Sequence, residues 1–142
     1  MLLLGVFLTK KKVLFVCTHN SARSQMAEAL LRHLKGDEYE AYSAGSNPTS
    51  VNPHAIRTME EIGIDMSGHR CESIDVYLSE EFDLVVTVCD SAREACPFFP
   101  GGKEHDHRSF RDPPSMVNEG EDSEKAFRKI RDEIGEWIRH DF

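Results

Sequence analysis

The sequence predicts one α/β domain built on a parallel sheet, and three observations carry that prediction. Short apolar, β-branched runs alternate along the chain with stretches of three-to-four apolar spacing, the order expected when helices cross between parallel strands. The strand runs are apolar without alternation, as strands buried on both faces are. No repeat and no second block of composition interrupts the 142 residues, so one core is expected. A chain of this size buries roughly 68–70% of its unfolded surface without help from disulfides or metal.

The elements follow in order. Val13 to Val16 (VLFV) is the first strand, and Cys17 ends it. Ahead of it, Met1 to Leu8 is apolar apart from Gly5 and is followed by Lys10, Lys11 and Lys12. A secretory signal has its charges before the apolar run, and a bilayer span needs about 20 residues. Residues 1–12 are therefore read as an appendage or extra strand, and residues 13–142 as the domain. Ala22, Met26, Ala29, Leu30 and Leu34 recur at helical spacing, with Gly36 as the stop. Tyr39 to Ala44 is a second strand, ended by Gly45 and Pro48. Asn52 caps a helix that has Pro53 in its first turn and turns Ile56, Met59 and Ile62 inward before Gly63. Leu84 to Val88 is a third buried strand, and Cys89 ends it. A weaker strand candidate covers His105 to Phe110, and Pro113, Pro114 and Gly120 predict a loop. Phe127, Ile130, Ile134, Trp137 and Ile138 form the apolar stripe of a terminal amphipathic helix. Sheets of this type carry their active sites at the carboxyl ends of the strands, where Cys17 and Cys89 both fall.

Composition narrows the function. Lys and Arg number 17 against 25 Asp and Glu, a net charge of −8 that argues against nucleic acid and anionic membranes as partners. The four cysteines, Cys17, Cys71, Cys89 and Cys96, are too few and too unevenly spaced for a secreted disulfide scaffold. A soluble, monomeric, cytoplasmic protein is the expectation.

Residues 17–24 read Cys17-Thr18-His19-Asn20-Ser21-Ala22-Arg23-Ser24, with five residues between cysteine and arginine at a strand-to-helix junction. Successive backbone N–H groups there can curl around a tetrahedral oxyanion, and the following helix adds its positive end. Arg23 can hold two oxygens with its planar fork. The same field would favour a thiolate at Cys17. Such a loop needs a residue at positive φ, and it contains no glycine, so Asn20 is the residue expected to adopt it. The glycines and Lys-Ser/Thr pair of a nucleotide P-loop are missing. The blander reading, a buried cysteine beside a helix cap, is outweighed by the junction in which the pattern sits.

Cys-Thr-His-Asn-Ser-Ala-Arg-Ser, with Val-Leu-Phe-Val before it and Gln25-Met26-Ala27-Glu28-Ala29 after it, resembles the low-molecular-weight tyrosine phosphatase superfamily. Within that superfamily, Ser43-Ala44-Gly45, Val51-Asn52-Pro53, Val85 to Cys89 with Cys96-Pro97, and Arg111-Asp112-Pro113 resemble the thioredoxin-coupled arsenate reductases. The resemblance runs from Val13 to Pro114. It implies a three-layer α/β fold with a four-stranded parallel sheet flanked by helices. It also implies reduction of arsenate to arsenite, with phosphate-ester hydrolysis as the alternative activity. Cys17 would be the nucleophile, Arg23 the oxyanion clamp and Asp112 the general acid, with residues Thr18 to Ser24 around the substrate. Arsenate reduction takes two electrons, and hence two thiols ending as a disulfide. The resemblance assigns that relay to Cys17, Cys89 and Cys96, with thioredoxin as electron donor and no tightly bound cofactor. From the residues alone, Cys89 reads equally as a small hydrophobe ending a strand.

Phosphatases of this superfamily often carry a second cysteine where this chain has Ala22, a departure that leans towards the reductase. Asn20, Glu28, Ser43 and Glu72 match a potassium site of some reductases, with Glu72 where an aspartate is usual. Cys71 has no place in the relay and reads as a passive thiol. Cys89, Cys96, His105 and His107 are separated by six, eight and one residues, unlike the short cysteine knuckles of structural zinc sites. His69, His105 and His107 read as surface or loop histidines, and His19 as a donor of its backbone N–H. An oxyanion-binding or redox-sensing module without turnover is the third class to be separated from the two enzymes.

Overall fold

The structure, a computed structural model, describes residues 9–90 and 93–142; the apolar run at 1–8, and with it the extra strand considered there, lies outside them. Among the described residues nine elements follow in order: β1 (Lys11–Cys17), α1 (Arg23–Lys35), β2 (Tyr39–Gly45), α2 (Pro53–Glu60), a 3₁₀ turn (Ile74–Tyr77), β3 (Leu84–Thr87), β4 (Glu104–His107), α3 (Pro113–Asn118) and α4 (Ser123–Asp141). The four strands form one parallel sheet in the order β2-β1-β3-β4. Val13 pairs with Ala41 on one side and with Leu84 on the other. Because the chain leaves β1 towards β2 and then returns across it to β3, the switch point falls between β1 and β3. Cys17 ends β1 there, and Cys89 follows β3 by two residues.

The alternation of side chains along β1 separates two cores. Val13, Phe15 and Cys17 face α1, α2 and α4 and pack against Met26, Leu30, Met59, Phe127, Ile130 and Ile134. Leu14 and Val16 face the other way, onto Ala44, Phe82, Val85 and Phe99, with Tyr42, Ile74 and Tyr77 at the edge. Burying each large apolar side chain contributes about 1.5–3 kcal/mol, so the sheet is anchored from both sides. Among the described residues no helix is long and apolar enough to cross a membrane.

Three local expectations change. The first strand begins at Lys11, two residues before the apolar run, because Lys11 and Lys12 continue the ladder to Tyr39 and Glu40. The loop expected around Pro113 holds a short helix, α3, with Asp112 at its N-cap and prolines in its first turn. Ile62, expected inside, is 41% exposed, because α2 stops at Glu60 and the chain turns at Gly63, whose φ is 80°. Asn52 caps α2 as predicted, accepting a hydrogen bond from the His54 amide at 2.8 Å. β4 lies within the weaker strand candidate except for Glu104, and all four of its residues are exposed.

A carboxylate clasp joins α2 to α4. Glu61 accepts from Arg128 Nε at 2.9 Å and Nη2 at 2.6 Å, and from Arg131 at 3.0 Å. The hydrogen bond from Arg128 is the chief reason its carboxyl is held at about 2, down from 4.5. The unfolded carboxyl takes up its proton near 4.5 and the folded one near 2. The clasp therefore contributes fully above pH 4.5 and fades as the pH falls towards 2. Glu61→Gln is expected to flatten that stretch of the curve of Tm against pH; an unchanged slope would show that the clasp adds nothing to stability.

Candidate active site

The loop from Thr18 to Ala22 is held from the outside by its carbonyls. The Thr18 carbonyl accepts from the Asn47 amide at 2.8 Å, that of His19 from Thr49 at 3.2 Å and that of Ser21 from Asn52 at 2.9 Å. The Asn20 carbonyl accepts from Cys71 Sγ at 2.9 Å and Gln25 Nε2 at 3.1 Å. In a trans peptide the C=O and the next N–H point in opposite directions. Four carbonyls turned outward therefore turn the amides of His19, Asn20, Ser21 and Ala22 inward, into the nest an oxyanion requires. α1 begins directly behind it with no side-chain cap and no acidic residue in its first turn, so its free N–H groups and positive end remain available.

Asn20 makes the reversal possible. It has a φ of 51° and is the only non-glycine residue at positive φ among the described residues. Its side chain is fully used: Oδ1 accepts from the Glu72 amide at 2.9 Å and from Gln25 at 3.0 Å, and Nδ2 donates to Ser24 Oγ at 2.8 Å. With that lone pair taken, the Ser24 hydroxyl is free to donate to Cys17 Sγ, 2.9 Å away. Cys17 itself is 2% exposed. Gly45, paired with Cys17 in β2, leaves the room, since a Cβ there would lie 2.6 Å from the Thr18 carbonyl oxygen and 2.8 Å from the Asn20 nitrogen.

Arg23 lies buried at the start of α1, donating to the Phe110 carbonyl at 3.0 Å and standing 3.4 Å from Asp112 Oδ1. Asp112 Oδ2 accepts from the Ser115 hydroxyl at 3.0 Å, which orients the carboxyl from the first turn of α3. Arg23 Nε is buried with no hydrogen-bond partner among the described residues, a donor left over for a ligand oxygen. Burial works against the Arg23 charge, but the hydrogen bond with Glu94 and the charges of Asp112 and Cys17 more than offset it.

Glu94 is the residue the sequence reading missed. Its carboxylate bridges the Arg23 fork, taking Nη1 on one oxygen and Nη2 at 3.2 Å on the other, and also accepts from the Asp90 amide at 2.9 Å. Burial would raise its pKa, yet the bonds from Arg23 and the Asp90 amide outweigh that and hold it below the ordinary carboxylate value. An anionic side chain thus occupies the fork where a ligand oxyanion would bind. The segment that carries it is closed by a disulfide between Cys89 and Cys96, with Cα atoms 5.9 Å apart. Cys17 and Cys71 are free thiols. Burial is the main reason the Cys71 thiol is pushed up, in keeping with its supporting bond to Asn20.

The remaining candidates separate. His19 is exposed, and His69 Nδ1 lies 2.8 Å from Gln25 Oε1, behind the loop. Glu28 accepts from the Ser43 hydroxyl at 2.6 Å and from Arg32 at 2.6 Å. Glu28, Ser43 and Glu72 line one cavity of about 180 Å³ together with Arg32 and Arg70. Their all-oxygen donor set suits a hard cation. Asn20, the fourth of the set, has its Oδ1 already committed to Glu72 and Gln25.

Residues 12–140 match the family described as low molecular weight phosphotyrosine protein phosphatase. The chain is 47% identical over 134 residues to an arsenate reductase of Halalkalibacterium halodurans, covering 93% of this chain and 95% of the relative. Among solved structures, it is similar to an arsenate reductase in the phosphate binding state, with a TM-score of 0.75 and 32% identity, covering 91% of this chain and 94% of the other. A thioredoxin-dependent arsenate reductase of Corynebacterium glutamicum matches at a TM-score of 0.63 and 30% identity, over 97% of this chain and 66% of its own.

Two substitutions probe this geometry. Gly45→Ala is expected to cost about 1–3 kcal/mol of stability and to abolish phosphate binding, because the loop backbone has nowhere to retreat. Calorimetry at neutral pH reads both effects, and intact binding would show that the loop tolerates the methyl group. Glu94→Gln removes the competing anion from Arg23 and is expected to tighten phosphate binding by about tenfold, ~1.4 kcal/mol. An unchanged Kd would mean that the carboxylate does not compete.

Proposed function

The chain belongs to the low molecular weight phosphotyrosine protein phosphatase family, and we propose that within it the protein reduces arsenate to arsenite. The observation that carries this reading is the Cys89–Cys96 disulfide at the edge of an oxyanion loop that already holds its own thiol. Ester hydrolysis needs one thiol; a pair that forms a disulfide beside the nucleophile supplies the two electrons a reduction needs.

The proposed steps are these. Arsenate enters the nest, displacing the Glu94 carboxylate from Arg23, and the Cys17 thiolate attacks arsenic. Asp112 gives its proton to the departing oxygen, which leaves as water. Cys89, beside Cys17 at the switch point, attacks the Cys17 sulfur; the sulfur–arsenic bond breaks, its electron pair stays with arsenic, and arsenite departs. Cys96 then attacks Cys89, which frees Cys17 and leaves the Cys89–Cys96 bond. The balance is one arsenate and two thiols giving one arsenite, one disulfide and one water. Ser24 and Arg23 hold charge on Cys17 and on the substrate, and neither changes covalently.

Thioredoxin, a dithiol carrier, completes the cycle in this proposal by reducing a bond whose second sulfur, on Cys96, is half-buried rather than enclosed. One chain holds every group the scheme uses, so a monomer suffices, and a reducing cytoplasm is its natural setting. A potassium ion held by Glu28, Ser43 and Glu72, without Asn20, whose Oδ1 is already engaged, belongs to the same proposal and would add positive charge behind the loop. None of the steps passes through it.

Cys89→Ser is expected to lose catalytic arsenite release while keeping slow hydrolysis of a phosphate monoester, since Cys17, Arg23 and Asp112 stay in place. Arsenite formation with a thioredoxin system and ester hydrolysis are measured side by side. Full arsenate turnover in the variant would overturn the relay.

A further inference from the structure

The spacing of Cys89, Cys96, His105 and His107 resembles no zinc knuckle, yet the fold brings three of the four together. Cys89 Sγ, Cys96 Sγ and one ring nitrogen of His107 lie within 4.8 Å of one another. His105 is not among them, its Nε2 lying 3.2 Å from the Phe99 carbonyl. The spacing misleads because the loop between the cysteines is shaped by a different demand. It must let two sulfurs bond, and any fold that permits this also brings them within chelating distance.

We propose that in the reduced protein Cys89, Cys96 and His107 form a three-ligand zinc site. Zinc–sulfur bonds of about 2.3 Å in tetrahedral geometry place the two sulfurs about 3.8 Å apart. The Cα separation of 5.9 Å accommodates that after reduction with little movement of the backbone. His107 Nδ1 lies 2.7 Å from Thr87 Oγ1. In the tautomer whose Nδ1–H donates to that hydroxyl, Nε2 keeps its lone pair and is the nitrogen assigned to the metal, as outer-shell partners of zinc histidines do. The ligands grade from buried Cys89 through half-buried Cys96 to exposed His107, and a cavity lined by Thr87, Pro97, Phe98 and His107 opens beside them. A soft dithiolate with one imidazole suits zinc, and three protein ligands leave the fourth position to water.

Metal binding itself balances once the cysteines are reduced. Zinc binds two thiols as thiolates and releases two protons, with no change in oxidation state. The dithiol form itself comes from reduction of the Cys89–Cys96 bond by a dithiol or phosphine. While zinc is bound, Cys89 cannot attack Cys17 and no disulfide can form, so the metal acts as a reversible brake. That consequence rests on the proposed function; binding does not.

The test is an anaerobic titration of the full, reduced chain with Co²⁺ as a spectroscopic substitute, followed by displacement with Zn²⁺. One Co²⁺ per chain is expected, with sulfur-to-cobalt absorption and tetrahedral ligand-field bands that zinc bleaches. The oxidised protein should show neither. Cys17→Ser and Cys71→Ser should leave the spectrum unchanged, Cys89→Ser and Cys96→Ser should each abolish the tetrahedral dithiolate bands, and His107→Ala should weaken binding by at least about tenfold. No sulfur-to-cobalt absorption in the reduced wild type overturns the site. So does affinity undiminished in His107→Ala, or a spectrum lost with Cys17→Ser. In turnover assays, a zinc concentration that halts the wild type should leave His107→Ala active. Binding as described without inhibition would count against the relay and not against the metal site.

Discussion

Everything in the site depends on one geometric constraint: the carbonyls of Thr18 to Ser21 are bound from behind. Each has a partner outside the loop or on the start of α1, and peptide planarity then leaves the amides no direction but inward. The anion-binding power of the loop is therefore set by neighbours that never touch an anion. Asn47, Thr49 and Asn52 lie on the connection from β2 to α2, and Cys71 and Glu72 on the approach to the 3₁₀ turn. Pairing β1 with β2 up to Cys17 and Gly45 brings the first of these segments underneath the loop. The sheet register is thus the remote cause of the electrostatics at Cys17.

A second layer of organisation concerns negative charge. Asp112 and Glu94 both approach Arg23, but with different supports. Asp112 is fixed by the fold, through Ser115 and the start of α3. Glu94 rides on the segment that the Cys89–Cys96 bond closes. The residue whose carboxylate meets Arg23 stands five positions after Cys89. The overall charge of −8 matters little beside this, because exposed charges are screened over about 8 Å while Arg23 acts at contact.

Much of this was readable from residues alone, for reasons that can be named. The strand runs at Val13 and Leu84 are apolar because both faces are covered, and their ends located Cys17 and Cys89. Asn20 was the expected positive-φ residue because a loop without glycine leaves few others. Glu94 was not readable, since an acidic residue in a polar loop has no local signature and its role arises from a contact 71 positions away. α3 was hidden because prolines that end one element also begin another. His107 was hidden because β4, being entirely exposed, carries no pattern of burial that would assign its side chains to a face.

The hydrogen bond from Cys71 to the Asn20 carbonyl divides the four cysteines in a way their chemistry alone does not. In the proposed relay, Cys17, Cys89 and Cys96 are needed as sulfur, for nucleophilicity and for a bond to another sulfur. Cys71 is needed only as a small donor pointed at an oxygen, a task a hydroxyl performs as well. Sequence drift at that position is consequently cheap, and a serine there would preserve the loop while removing a stray thiol from oxidative side reactions. The cysteine count is in this sense one larger than the proposed chemistry demands.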